Sequence, residues 1–203
     1  MKKTKNYLVA IVQALTILII RIPMRLLFKS EGKFQYVFEK GKKYILAANH
    51  PNRADPFLIA STLPFSLYLQ LLPVRIITHE KFLKNPISAC ILYSLGSITT
   101  KQTRKGKVLE RASRLLERGE TILIFPSGRL EREGVVVKPK VGVVYLNNEV
   151  KDSLIVPIHL QYFKKPKRTV MLVKKAFRFR KKPSDFEKAA KEVYKRIIQE
   201  DEA

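Results

Sequence analysis

Tryptophan is missing from this chain, cysteine occurs once and histidine three times. The single thiol, Cys90, excludes an internal disulfide framework, and its apolar setting in "ISACILYSLG" predicts a packed side chain in a reducing compartment. His50, His79 and His159 lie far apart in sequence and far from Cys90, so no ligand spacing points to a metal centre. Acid is scarce as well. Against 40 Lys and Arg stand 17 Asp and Glu, a net charge of +23. A merely solvated surface would carry more balancing acid, so the excess predicts a polyanionic partner: nucleic acid, anionic lipid or an acidic carrier protein. The chain also lacks a long uncharged apolar run. The best stretch, "YLVAIVQALTILII" at 7–20, covers about 21 Å as a helix, short of a hydrocarbon core of roughly 30 Å.

What is present bounds the rest. A chain of 203 residues with 46% apolar content has material for one domain with a short appendage. The first 30 residues hold Lys2, Lys3, Lys5, Arg21, Arg25 and Lys29 and no acid. Extension of the apolar run is interrupted by Arg21 and Pro23. We therefore expect residues 1–30 to form a membrane-associating helical segment, embedded in one leaflet with its cations at phosphate level, ahead of a domain at 31–203. A secretory signal would share the charged start, but no Ala-x-Ala follows. A buried core helix would share the length.

Beyond the anchor, short apolar runs alternate with helical patterns. "KFQYVFEKGKKYILAANH" reads as a hairpin-like pair of segments turning at residues 39–42, where Gly41 can adopt positive φ. "YILAAN" is apolar nearly throughout, as expected of a strand covered on both faces. "ADPFLIASTL" reads as a helix with Pro56 in its first turn. "VRIITHEKF" reads as a strand, and "NPISACILYSLGSI" as a helix ending at Gly96. "KGKVLERASRLLERGE" is an amphipathic helix stopped at Gly119. "TILIFPSG", "SLIVPIHLQYF" and "RTVMLVKKAFRF" supply further strands. "SDFEKAAKEVYKRIIQE" is a terminal helix with Ser184 and Glu187 as a capping box. The alternation predicts an α/β domain with a mixed, largely parallel central sheet flanked by helices, and a site at strand ends.

In "AANHPNRADPF", His50 leaves a buried strand and Asp55 opens the next helix. A four-residue loop can fold back so that the carboxylate accepts the imidazole Nδ1–H. That fixes the tautomer, leaves Nε2 as a base and stabilises the imidazolium. A capping Asp beside a surface His would read the same. Ser127 follows a buried strand, but "FPSGR" is not the Gly-x-Ser-x-Gly elbow of a serine nucleophile. A base without an enzyme nucleophile points to a substrate that brings its own, such as an alcohol.

At these residues the chain resembles the glycerolipid acyltransferases related to bacterial lysophosphatidic acid acyltransferase, whose hallmark is Asn-His-x-x-x-x-Asp after an apolar strand. Asn49-His50-Pro51-Asn52-Arg53-Ala54-Asp55 matches it. "THEKFLKNPISACILYSLGSITTKQTR", "LERGETILIFPSGRL" and "LIVPIHL" are similar to the second, third and fourth blocks, in order, over about residues 30–175. The resemblance implies a fatty acyl group moved from an acyl thioester, of coenzyme A or acyl carrier protein, to a hydroxyl of a (lyso)glycerophospholipid. No resident cofactor is implied. His50 would be the general base and Asp55 its brace. Asn52, Lys101, Arg104, Ser127, Gly128, Arg129 and Lys140 would bind substrate, and backbone N–H groups near the second block would hold the oxyanion.

The chain also departs from the pattern. Ser127 stands where the third block has Glu, Arg129 falls one place early, and Gln102 fills an arginine position of the second block. Lys140 and Gly142 fit a Lys-x-Gly segment. The basic run Lys164–Lys182 would face anionic lipid or an acidic carrier. The implied location is peripheral or monotopic, on the cytoplasmic membrane face. Two rivals remain: a lipid-binding relative without lysophosphatidic acid activity or with a different lipid alcohol as acceptor, and a nucleic-acid-binding protein. The last is favoured by charge alone, since it lacks RNP-type aromatics, zinc spacing or a helix-turn-helix pattern.

Overall fold

The computed structural model describes residues 5–79, 84–99, 107–132, 134–165, 167–179 and 183–199. In chain order the elements are α1 (Tyr7–Phe28), β1 (Ser30–Phe34), β2 (Lys43–Ala48), α2 (Asp55–Thr62), α3 (Phe65–Leu71), β3 (Val74–Thr78), α4 (Pro86–Ser94), β4 (Ile98–Thr99), α5 (Lys107–Glu117), β5 (Thr121–Ile124), α6 (Gly142–Glu149), β6 (Ser153–Lys164), β7 (Lys167–Val173) and α7 (Phe186–Ile198). The strands form one sheet in the order β1-β7-β6-β2-β5-β3-β4. The run β6-β2-β5-β3-β4 is parallel, while β7 is antiparallel to β6 and β1 runs parallel to β7. The expected mixed, largely parallel α/β sheet is the architecture found.

The centre of the sheet falls where its residues are most apolar. Along β2, Ile45 and Ala47 point to one face and Leu46 and Ala48 to the other, and all four are buried. The first pair joins the layer of α5, α6 and α7 through Leu116, Val143 and Val193; the second joins α1 and α2 through Ile17, Leu58 and Ile59. Helices cover both faces, which an all-apolar parallel strand requires.

Three expectations need correction. The hairpin around Gly41 does not form, although Gly41 has φ +85° and Lys42 N–H closes a turn on Glu39 O. The segment ahead of it pairs at the far edge of the sheet with β7, because "SEGKF" is too polar for a central position, and "YVFE" is a connection whose Tyr36 and Phe38 pack on Tyr44. The α7 capping residue is Asp185 rather than Ser184, at the end of a 3-10 turn over Pro183–Asp185, and it makes no side-chain capping bond. Cys90 is exposed: α4 is apolar on more than one face, and Ile91 and Tyr93 are exposed beside it.

The N-terminal helix differs most. It continues through Arg21 and Pro23 to 22 residues, about 33 Å at roughly 1.5 Å per residue, so shortness does not bar it from spanning a bilayer. Pro23 removes one backbone donor, but tertiary docking holds the helix together. Buried Gln13 donates to Val74 O at 2.6 Å and Leu95 O at 2.8 Å and accepts Val74 N–H at 2.9 Å. Ile17 enters the core, and Asn6 caps the first turn through Val9 N–H. On the opposite stripe Leu8, Ile11, Leu15, Leu18, Ile22 and Leu26 are exposed. The helix is thus apolar on both sides, with one side used by the domain.

Gly96 and Gly119 end α4 and α5 in the left-handed region, at φ +64° and +83°, as their positions in the sequence predict.

Candidate active site

The parallel strands all end on one edge, and the candidate groups gather there. β2 delivers His50 and α2 begins at Asp55, which is fully buried. Pro56 sits in the first helical turn, where its missing N–H costs nothing. The loop between them folds back: His50 Nδ1 lies 2.8 Å from Asp55 Oδ2, and the same oxygen accepts Asn52 N–H at 2.9 Å. With the carboxylate as acceptor, Nδ1 carries the proton and Nε2 is the basic nitrogen. Phe125, just beyond β5, stacks on the imidazole with centroids 4.1 Å apart and planes 19° apart, which fixes the ring's second direction.

The other carboxylate oxygen is also engaged. Tyr162 O–H donates to Asp55 Oδ1 at 2.5 Å. Tyr162 reaches it because β6, with 12 residues, runs past the end of β2: Ala48 pairs with Ile158, and Tyr162 lies four positions further along β6. Burial, then the neighbouring Asp55 charge and the hydrogen bond to it, push the phenol's pKa far up, so it remains a donor. Asn49 ties β6 to the same loop, giving Nδ2–H to Leu160 O at 2.9 Å and taking Leu160 N–H at 2.7 Å.

A second missed residue is Glu131. Its Oε1 accepts His50 N–H at 2.9 Å, its own N–H reaches His50 O at 2.8 Å, and its Oε2 accepts Tyr194 O–H from α7 at 2.9 Å. The loop after β5 is thereby clamped to the His50 backbone. The only trace in the sequence is a Glu four places beyond Ser127, which occupies the usual glutamate position.

His50 lines a cleft of about 890 Å³. Its wall includes apolar Phe57, Ile76, Ile91 and Leu95, the cations Arg53, Arg129, Lys138, Lys140 and Lys191, and Glu187. Of the residues expected from sequence, His50, Gly128, Arg129 and Lys140 line this cleft. Lys140 lies across Gly128: a Cβ on Gly128, whose φ is +62°, would come within 2.5 Å of Lys140 Nζ. Lys140 N–H is fixed to Pro126 O at 2.8 Å.

Asn52 and Ser127 are placed otherwise. Asn52 Oδ1 accepts Ala54 N–H at 3.0 Å, shaping the loop. Ser127 is buried and donates to Arg129 O at 2.7 Å, closing its own turn. Lys101 and Arg104 lie outside the described residues. Within the second block, the Gly96 and Ser97 N–H groups bond to Tyr93 O and Leu92 O at the end of α4, so these two are spent on capping the helix.

A proton acceptor braced by a carboxylate, at the wall of a cleft lined by both apolar and cationic side chains, suits activation of a hydroxyl on an amphiphilic substrate. The comparisons agree with this chemistry. The model of the family described as Acyltransferase matches residues 31–161, more than half of the chain. The fold is similar to the crystal structure of the 1-acyl-sn-glycerophosphate (LPA) acyltransferase, PlsC, from Thermotoga maritima, with a TM-score of 0.66 and 17% sequence identity, covering 90% of this chain and 77% of that one. None of the curated proteins matches the chain.

Proposed function

Because the chain belongs to the Acyltransferase family, we propose that this acyltransferase moves a fatty acyl group from a thioester to a hydroxyl of a lysophospholipid at a membrane surface. The observation that carries this reading is the contact between His50 Nδ1 and buried Asp55, made at the wall of the cleft. His50 Nε2 takes the proton of the lipid hydroxyl as its oxygen attacks the thioester carbonyl carbon. The tetrahedral intermediate collapses, the C–S bond breaks, and the imidazolium returns the proton to the departing thiolate. Asp55 holds the imidazolium throughout, with Tyr162 and the Asn52 N–H fixing the carboxylate. The protein itself forms no covalent intermediate.

Arg129 belongs to the third block and Lys140 lies across its Gly128, and we assign both to the acceptor's phosphate. Ser127, turned into its own loop, would then shape the backbone around Gly128, and Asn52 would act through the His50 loop. Lys101 and Arg104 remain proposed contributors from the second block. Coenzyme A or acyl carrier protein would supply the acyl thioester as co-substrate. The exposed side chains Ile22, Leu26 and Leu27, in the half of α1 nearer the cleft, support attachment to one leaflet, which we place on the cytoplasmic face. A helix sewn to the domain through Gln13 and Ile17 along its length lies against the protein, not across a bilayer by itself.

The test is an assay of the purified protein with acyl-coenzyme A and acyl carrier thioesters, against a panel of lysophospholipids and neutral lipid alcohols. Mass-spectrometric appearance of a diacyl phospholipid is expected. Thioester hydrolysis alone, or transfer confined to neutral alcohols, contradicts the assignment.

A further inference from the structure

We infer that the sheet edge on which the cleft opens is the edge that enters an anionic bilayer, with Val135 and Val136 as its inserted tip; the inference rests on the lipid acceptor proposed above. Val136 is 90% exposed and Val135 49%. Val135 closes, and Val136 follows, a tight turn in which Gly134 has φ +76° and Val135 N–H bonds to Arg132 O at 3.2 Å. The turn is anchored on both sides: Glu131 is clamped to the His50 backbone, and Val137 packs against the core formed with α5, α6 and α7. A single exposed apolar residue needs no explanation. Here two stand together on the loop whose Leu130 and Lys138 line the cleft, between exposed Arg132 and Lys138.

The surrounding charge fits phosphate headgroups. Helix α1 starts at the opposite edge, where Lys5 reaches Leu72 O and Asn6 N–H reaches Glu120, and it finishes at the site's edge, where Lys29 O accepts Thr169 N–H. Exposed Arg25 and Lys29 therefore place two cations at the end nearer the cleft mouth. The turn between β6 and β7 brings exposed Lys165 and Lys167 to the same edge. A bilayer meets both needs together, since it offers hydrocarbon to the valines and phosphate to the cations. It would also let an acceptor present its hydroxyl to His50 while its acyl chain stays out of water.

The other edge supplies the control. Val37, between β1 and β2, is 84% exposed and lies at the amino ends of the parallel strands, away from the cleft. The chain has no tryptophan, so Val136→Trp and Val37→Trp each install a single fluorophore. Both full-length variants are mixed with vesicles of phosphatidylcholine and phosphatidylglycerol, with and without brominated acyl chains. Emission of the Val136→Trp protein should move to shorter wavelength and be quenched by bromine, while Val37→Trp changes little.

Quenching at position 37 instead, equal quenching at both, or none at 136 overturns the inference. So does a Val136→Trp response to an acidic carrier protein without one to vesicles. A Val135→Asp, Val136→Asp double variant, its fold checked by circular dichroism, should lose about tenfold in vesicle partition; unchanged partition counts against the tip. None of these readouts requires turnover, so a failure of acyl transfer leaves the assignment of the edge to be decided separately.

Discussion

Replacing Tyr162 with Phe removes one oxygen from the interior and leaves the ring, with its edge contact to Phe28 at 6.2 Å, in place. The oxygen's partner is Asp55 Oδ1, on a carboxylate with no exposed surface. A hydrogen bond to a charged group contributes about 1.5–3 kcal/mol, and the orphaned acceptor costs about 1–3 kcal/mol of stability. The His50 contact and the Asn52 N–H on Oδ2 survive, so the pair persists but its carboxylate is less firmly aimed. If roughly half of the bond is felt at the imidazolium stage, kcat falls about tenfold, equivalent to about 1.4 kcal/mol, with KM little changed. Thiol release from acyl-coenzyme A with a lysophospholipid acceptor measures both constants. Unchanged kcat, or an effect on KM alone, refutes the positioning role.

Two further substitutions probe the neighbouring devices. Gly128→Ala would place a methyl group on Lys140 at a position whose φ of +62° already disfavours a side chain, so the lysine must shift. KM for a phosphorylated acceptor should rise severalfold with kcat nearly kept; an equal rise for a neutral alcohol argues against a headgroup role for Lys140. Gln13→Leu strands the Val74 N–H and the Val74 and Leu95 carbonyls in the interior, at about 1–3 kcal/mol for each group left unpaired. Thermal unfolding should drop by several degrees, at roughly 2–4 °C per kcal/mol for a chain of this size. An unchanged melting temperature would mean that α1 contributes little to the fold.

Much of this molecule is legible in the sequence because its signals are local. "YILAA" is apolar on both alternating faces, which assigns a central parallel strand and so the placement of His50 at its end. The His50–Asp55 pair closes over four residues, within the reach of one loop. Tyr162 gives no such signal: it meets Asp55 only because β6 overruns its neighbour by several residues, a matter of register that composition does not encode. Glu131 is similar, since its two oxygens join the His50 loop to α7 across separate elements. The hairpin around Gly41 misleads for the reverse reason: the turn is real, but the choice of strand partner depends on how polar "SEGKF" is relative to every other strand. In α1, Pro23 reads locally as a stop, while packing against α2 carries the helix through it.

Transfer by a histidine base with no covalent enzyme intermediate is decided most directly by His50→Ala. With acyl-coenzyme A and lysophospholipid at saturation, the variant should lose at least about a thousandfold in diacyl lipid formation, beyond the usual worth of a positioned base alone because Asp55 loses its partner as well. Its circular dichroism spectrum and vesicle binding should match the parent protein. Near-parental turnover by a folded, membrane-bound His50→Ala protein contradicts the account.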